Sequence, residues 1–264
     1  MNKDIKLIFH LNNHSFSYSI FNTIHNCFEK LQTHVFTHDK YALHHHVEKT
    51  IEMDGNLNNN YLTTLGVVDT HPSTFIPEAL FDKKNLNQYV NLTYGKSQTT
   101  TQYIKQKFVN CYCVFSINND LLLSLKSRFH NLNIRSTSSI FVDYSITLSK
   151  ENNQELFAQI HQNYFHITLI SYGNFKFYNK FYFDNTDDFI YYFINCIQTL
   201  KIKSNELEIY ITSELEQNDP ILEKLQEYLK IRFINRPSTF LYKDTILKSA
   251  PYKNHNLFSQ LICE

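Results

Sequence analysis

The order of elements that apolar periodicity predicts along this chain occurs twice, and a chain built that way is constrained to fold as two related halves. In the first half, three segments rich in aromatic and β-branched residues, 5–11, 16–21 and 27–35, are separated by Asn12-Asn13-His14 and by the turn-forming residues 22–26. Phe16, Tyr18 and Ile20 alternate with Ser17 and Ser19, as one half-buried strand of a meander should. A helix over about 40–57 and a strand over 62–69 follow. Pro77 is expected to open a helix running to about Val90, strands are expected at 99–104 and 108–117, and a helix over 119–129 closes this half.

The second half repeats the order. Strands over 155–161, 165–171 and 175–183 share Tyr172-Gly173-Asn174 as the tight turn between the last two. The helix after them is capped by Thr186 and carries Asp187 and Asp188 at the positive end of its dipole. Its Phe189, Tyr192, Phe193, Cys196, Ile197 and Leu200 recur at helical spacing to form a core face. A strand over 207–212 precedes a helix capped by Asp219, started by Pro220 and turning Ile221, Leu222, Leu225, Tyr228 and Leu229 inward, and a strand over 231–234 ends the series. Laying Phe16 on Phe165 superposes the two meanders at an offset of 149 residues, and Leu62 then lands on Leu207 at an offset of 145. Strand, strand, strand, helix, strand, helix, strand, read twice, predicts an α/β protein with a duplicated ribonuclease-H-like fold. Its two subdomains, residues 1–150 and 151–264, would each hold a mixed five-stranded sheet flanked by helices.

Composition agrees with a folded globular protein. The chain has 264 residues, 42% of them hydrophobic, enough to fill such a core. Its 25 Lys and Arg balance 25 Asp and Glu, so no global field draws it to nucleic acid or to a membrane surface, and any such partner has to use a local patch. Met1 to Lys6 lacks the apolar stretch of a secretory signal, and no run of about 18 apolar residues occurs, so no membrane span and a cytoplasmic location are expected. Cys27, Cys111, Cys113, Cys196 and Cys263 form neither C-x-x-C pairs nor a dense framework and read as reduced, mostly buried thiols.

The duplicated order is the layout of the superfamily of actin, heat-shock chaperones and sugar kinases. Within it the chain resembles a Bacteroidota family of uncharacterised proteins, a domain of unknown function with an actin-like ATPase fold. The residues that carry the resemblance are Phe75-Ile76-Pro77-Glu78-Ala79-Leu80-Phe81-Asp82, Thr186-Asp187-Asp188-Phe189-Ile190-Tyr191-Tyr192-Phe193, Leu207-Glu208-Ile209-Tyr210-Ile211-Thr212-Ser213 and the terminus Leu261-Ile262-Cys263-Glu264. The match spans nearly the whole chain and implies a fold with no established activity.

In active members of that superfamily, the hairpin between the first two strands of each half holds phosphates with Asp-x-Gly turns, because glycine lets backbone amides approach the phosphate and the Asp manages the metal. Here the two hairpins read Asn12-Asn13-His14-Ser15 and His161-Gln162-Asn163-Tyr164, with neither Asp nor Gly. The resemblance also implies a glycine pair on the adenosine side, where this chain has Thr212-Ser213-Glu214-Leu215. Glycines at 55, 66, 95 and 173 are the only four and supply none of these sites. The reading is therefore of a pseudo-ATPase: not an enzyme, with no cofactor, catalytic or metal residue assigned. Its expected role is that of a non-catalytic binding or scaffolding module whose partner is another protein, with a nucleotide-binding assembly protein as one alternative.

His34 and His38 have a spacing that can share a metal on a helix, and His44-His45-His46 follow, but no acidic ligand lies close in sequence and a solvated loop is the plainer reading. Cys111 and Cys113 share one strand face, where a core pair is favoured over a redox couple. Asp69-Thr70-His71 has an acid and a base and no nucleophile elbow. Residues 230–253 interleave Lys230, Arg232, Arg236, Lys243, Lys248 and Lys253 with Phe233, Phe240, Tyr242 and Tyr252, so nucleic acid bound through this segment is the other alternative.

Overall fold

The structure is a computed structural model that describes residues 2–37, 41–94, 99–129, 131–202 and 207–264; His38, Lys40 and Gly95 lie outside the described residues. In chain order the elements begin with β1 (Asn2–Asn12), β2 (Ser15–Asn22), β3 (Cys27–Val35), α1 (Leu43–Met53), β4 (Tyr61–Asp69) and β5 (Ser73–Pro77). Next come α2 (Leu86–Tyr94), β6 (Thr99–Lys105), β7 (Cys111–Asn118), α3 (Asn119–Arg128), β8 (Leu132–Ser136) and α4 (Thr137–Leu148). The remainder comprises β9 (Gln154–Ile160), β10 (Tyr164–Ser171), β11 (Asn174–Tyr182), α5 (Thr186–Thr199), β12 (Leu207–Ser213), α6 (Pro220–Tyr228) and β13 (Ile231–Phe233). The chain closes with β14 (Leu241–Tyr242) and three one-turn helices, α7 (Asp244–Leu247), α8 (His255–Phe258) and α9 (Gln260–Cys263). Among the described residues no helix is long and apolar enough to cross a membrane.

The chain divides into two compact units. One is Met1–Ile140 with Pro237–Ser249 and Asn256–Glu264, the other Phe141–Arg236 with Ala250–His255. The units divide inside α4, and part of the C-terminal sequence joins the first unit.

In the first unit the main sheet has the order β14-β3-β2-β1-β4-β8. β1 is antiparallel to β2 and parallel to β4, and β4 is parallel to β8. Both faces of this sheet are covered, which is why Leu7, Ile8 and Phe9 follow one another without a polar residue in β1. Leu7, Phe9 and Leu11 turn to a core shared with Val47 and Ile51 of α1 and Leu121 and Leu125 of α3, while Ile8 turns to a second core with Phe28, Ile246 and Phe258. In the second unit the order is β11-β10-β9-β12-β13, with the same senses of pairing. Phe165, Ile167 and Leu169 of β10 pack with Phe189 and Phe193 of α5 and Leu222 and Leu225 of α6.

Register makes the duplication quantitative. Leu11 pairs with Phe16 across the first hairpin as Ile160 pairs with Phe165 across the second, the offset of 149 expected from the sequence. Leu11 also pairs with Val68, and Ile160 with Ser213, which is the offset of 145. The fold is a duplicated ribonuclease-H-like one with mixed sheets, and the first sheet gains β14 as a sixth strand.

Several local expectations need correction. Pro77 does not open a helix: it ends β5, paired with Cys111, and two 3₁₀ turns at Glu78–Leu80 and Lys83–Asn85 precede α2. Among the described residues β5, β6 and β7 pair only with one another, in the order β5-β7-β6, so they form an insert. The fifth strand of the first half is β8, a short polar strand that sequence reading passed over, and the half continues beyond 129 into α4. The cap of α5 is Asn185, whose side chain accepts the Asp188 amide, and not Thr186. Asp219 does cap α6, accepting from the Ile221 amide, but Tyr228 is exposed while its neighbour Leu229 packs against the core. The tight turn stands: Tyr172 and Gly173 have φ of 54° and 71°, the left-handed pair that a two-residue hairpin demands.

Candidate functional site

The first hairpin is closed by its own side chain. Oδ1 of Asn12 accepts the amides of His14 and Ser15, each at 2.8 Å, and the Ser15 hydroxyl at 3.2 Å. Asn12 is buried at the end of β1, so the acceptor is held in place by the sheet. In the second hairpin the His161 amide donates to the Tyr164 carbonyl at 2.9 Å, and the two rings stack with centroids 4.4 Å apart. The Lys180 ammonium sits over the Tyr164 ring, 4.1 Å from its centroid.

The turn after β12 is engaged in the same way. The Glu214 amide donates to the Ile160 carbonyl at 3.1 Å, the Leu215 amide to the Ser213 hydroxyl at 3.0 Å, and the Ser213 amide to the Tyr252 carbonyl at 3.4 Å. Glu214 accepts the Asn254 amide through Oε1 at 3.1 Å. Removal from water pushes its carboxyl up to about 7.

A groove of about 650 Å³ runs along the C-terminal part of β3 beside α1, with His34, Val35, His46, Lys49, Met53 and Asp54 among its lining residues. A hollow of about 320 Å³ shares Thr37, His46 and Lys49 with it and adds Tyr41 and His45. The inner end is fixed by Asp54, just after α1. Its Oδ2 accepts the Tyr18 hydroxyl at 2.7 Å and faces Nε2 of His34 at 2.9 Å, while Oδ1 takes the side chain and amide of Asn56 at 2.7 and 3.0 Å. Burial alone would push this carboxyl up. The hydrogen bonds from Tyr18, Asn56 and His34 together outweigh it and hold the group well below the usual carboxylate range. Tyr18 is pushed in the opposite direction, above its ordinary value, by burial and by the Asp54 carboxylate. Asp54 therefore stays ionised but turned inward, and the groove presents Lys49 and imidazoles. Val35 and Met53 add apolar surface at its rim, 77% and 76% exposed.

The structure thus brings His34 to an acidic partner 20 residues away in sequence, while His46, in the lining of the same groove, stacks on Phe36 at 5.3 Å. The rings of His44 and His45 lie 4.0 Å apart at a tilt of 43°, and His45 lies 3.6 Å from Glu48. The metal reading's His38 lies outside the described residues. Cys113 is fully buried, 3.2 Å from the Ser136 hydroxyl, and desolvation pushes its thiol up to about 11, the reverse of what a redox thiol needs. All five cysteines are buried free thiols. The Thr70 hydroxyl is 3.1 Å from Nδ1 of His71 at the end of β4. In residues 230–253 the aromatics that would stack bases are packed: Phe233 on Tyr252 at 4.5 Å, and Phe240 and Tyr242 each 5.4 Å from Phe28. Lys253 pairs with Glu216, and Arg232 lies 3.5 Å from Glu208.

Sequence reasoning found the hairpins and missed the groove. Tyr18, His34 and Asp54 sit on three different elements, and only the sheet register and the length of α1 bring them together.

The chain belongs to the DUF3822 family of proteins of unknown function, whose profile matches residues 2–231. No curated protein matches it. Among solved structures it is similar to a Bacteroides thetaiotaomicron VPI-5482 protein with an actin-like ATPase fold and unknown function. The identity is 19% and the TM-score 0.83, over 99% of this chain and 97% of that one. It is also similar in fold to a chain of the PilM-PilN type IV pilus biogenesis complex, with 7% identity, a TM-score of 0.60 and 98% of each chain covered. The fold is that of actin-like ATPase-fold proteins.

Proposed function

We propose that this member of the DUF3822 family is a non-catalytic binding module that recognises another protein and no longer handles ATP. The observation that carries the reading is the capture of the His14 and Ser15 amides by Asn12 at 2.8 Å. Those amides stand where a nucleotide-binding member of the superfamily would present donors to a phosphate, and a donor already satisfied inside the protein has little to gain from a ligand. The amides of residues 213–215 are likewise engaged. A groove with exposed Val35 and Met53 supplies a surface of the kind proteins use. The similar fold in the PilM-PilN complex belongs to a protein that assembles with another, which is compatible with the reading. Nucleic acid bound through 230–253 draws no support from aromatics that are packed against the protein.

Calorimetric titration of the full chain with ATP and with ADP, in the presence of magnesium, tests the proposal. Heats indistinguishable from dilution are expected; a micromolar dissociation constant for either nucleotide would overturn it.

A further inference from the structure

We propose that the groove beside β3 takes an extended, acidic segment of a partner protein, which pairs with the open edge of β3 as an added strand. The proposal rests on the binding-module reading and names the chemistry of the partner.

Where β14 and α7 do not flank it, the outer edge of β3 is open among the described residues. Among the described residues, β3 is paired on its outer side only where Cys27 and Phe28 meet Leu241 and Tyr242 of β14; beyond Phe28 no described strand continues the sheet. A register shift between Ile20 and Phe21 sets the direction of the remaining backbone groups. The Phe36 amide donates inward to the His14 carbonyl at 2.8 Å, and the register then pairs His34 with Phe16 and Gln32 with Tyr18. Because an antiparallel ladder alternates, the amides and carbonyls of His34 and Gln32 point to β2, and those of Leu31, Thr33 and Val35 point outward. Unpaired outward groups of this kind are a template for another strand, and natural sheets usually blunt or cover them. Here the groove follows the same residues, lined by Gln32, Thr33, His34 and Val35 on one side and by α1 on the other.

Charge selects the occupant. Lys49 projects from α1 into both the groove and the adjoining hollow, is exposed, and has no carboxylate partner among the described residues. Asp54, the acid in the lining, is turned inward to Tyr18, His34 and Asn56. Side chains of an added strand alternate between its two faces, so every second residue would face α1. An Asp or Glu at one such position meets Lys49, and an apolar residue at the next covers Met53. Main-chain hydrogen bonds to Leu31, Thr33 and Val35 would supply affinity, and the Lys49 contact would supply preference.

The test is a selection from random peptides about ten residues long, displayed on phage, against the immobilised full chain, followed by fluorescence anisotropy with the selected peptides. Val35→Pro removes one outward amide at an exposed edge position and leaves the ladder to β2 intact. Lys49→Glu reverses the charge on α1. The expected result is enrichment of acidic sequences rich in β-branched residues, with binding weakened about tenfold or more by each substitution, while circular dichroism melts of both variants stay near the parent's. Failure to enrich any peptide, or equal binding to the parent and to Val35→Pro, would overturn the proposal. A parent that sediments as a dimer, and becomes monomeric in Val35→Pro, would also overturn it by assigning the edge to a second copy of the chain. The nucleotide titration is independent: silent heats with no selected peptide remove the edge proposal and leave the non-catalytic reading, whereas micromolar ATP binding removes the non-catalytic reading whatever the peptides do.

Discussion

The Tyr18 hydroxyl donates to Oδ2 of Asp54 at 2.7 Å, tying β2 to the residue that ends α1. Since Asp54 is held ionised by Tyr18, Asn56 and His34, removing the hydroxyl in Tyr18→Phe should cost about 2 kcal/mol of stability in urea denaturation, the scale of one hydrogen bond to a buried charge. The folded-state pKa of Asp54 is depressed, so its contribution is present above the ordinary carboxylate value and lost as pH falls below it. Asp54→Asn should be less stable than the parent at neutral pH and should lose less further stability between about pH 4 and pH 2. Parallel acid-denaturation curves for the two proteins would contradict this.

Gly66 and Phe9 are direct cross-strand partners on β4 and β1, and a Cβ on Gly66 would stand 2.2 Å from Cζ of the Phe9 ring. That ring is fully buried and stacks on Phe16 at 5.1 Å, so it cannot swing away. Gly66→Ala should therefore destabilise by about 2 kcal/mol through overpacking. In a Phe9→Leu background, where the offending ring atoms are gone, the same substitution should cost clearly less. Equal costs in the two backgrounds would show that the contact is not the cause.

A buried histidine and a half-buried glutamate of the second unit should give opposing pH dependences. Burial pushes His255 from 6.5 down to about 4, so the unfolded chain takes up the proton first and stability falls as pH drops from 6.5 towards 4. Desolvation pushes Glu214 from 4.5 up to about 7, so the folded chain keeps its proton longer and stability falls as pH rises from 4.5 towards 7. Between pH 4.5 and 6.5 the two slopes offset. His255→Gln should expose the Glu214 slope, with stability declining as pH rises, and Glu214→Gln should expose the His255 slope, with stability declining as pH falls. Urea midpoints measured across that range decide it: variants with the same slope as the parent would refute both assignments.

What was legible in the sequence followed from periodicity that the packing preserves. The alternation of Phe16 and Tyr18 with serines marked β2, and the helical spacing of Phe189, Phe193, Cys196 and Ile197 marked a buried face of α5, because in both cases the side chains enter one core. β8 escaped notice because Leu132-Asn133-Ile134-Arg135-Ser136 is short and its burial owes as much to polar contacts as to apolar ones: Arg135 donates to the Cys263 carbonyl at 2.6 Å and to the Ser139 hydroxyl at 2.9 Å. Pro77 suggested a helix start, yet its extended backbone (φ −51°, ψ 139°) serves equally well to end a strand. The missing glycines of the hairpins were readable as letters, but not the role of Asn12, since an asparagine that captures the amides of its own turn looks the same in sequence as one facing solvent. The groove had no local signature, because Lys49 and the outward groups of Leu31, Thr33 and Val35 become a site only when β3 is left as a sheet edge.

The most direct measurement of whether ATP handling has been lost is a titration of the ¹⁵N-labelled chain with ATP and magnesium, following the amides of His14, Ser15, Ser213, Glu214 and Leu215 one by one. Each of these amides already donates within the protein, to Asn12, Tyr252, Ile160 or Ser213. Their resonances should stay in place at millimolar nucleotide. Saturable shifts of the His14 and Ser15 amides at micromolar ATP would mean that Asn12 yields them to a phosphate, and would contradict it.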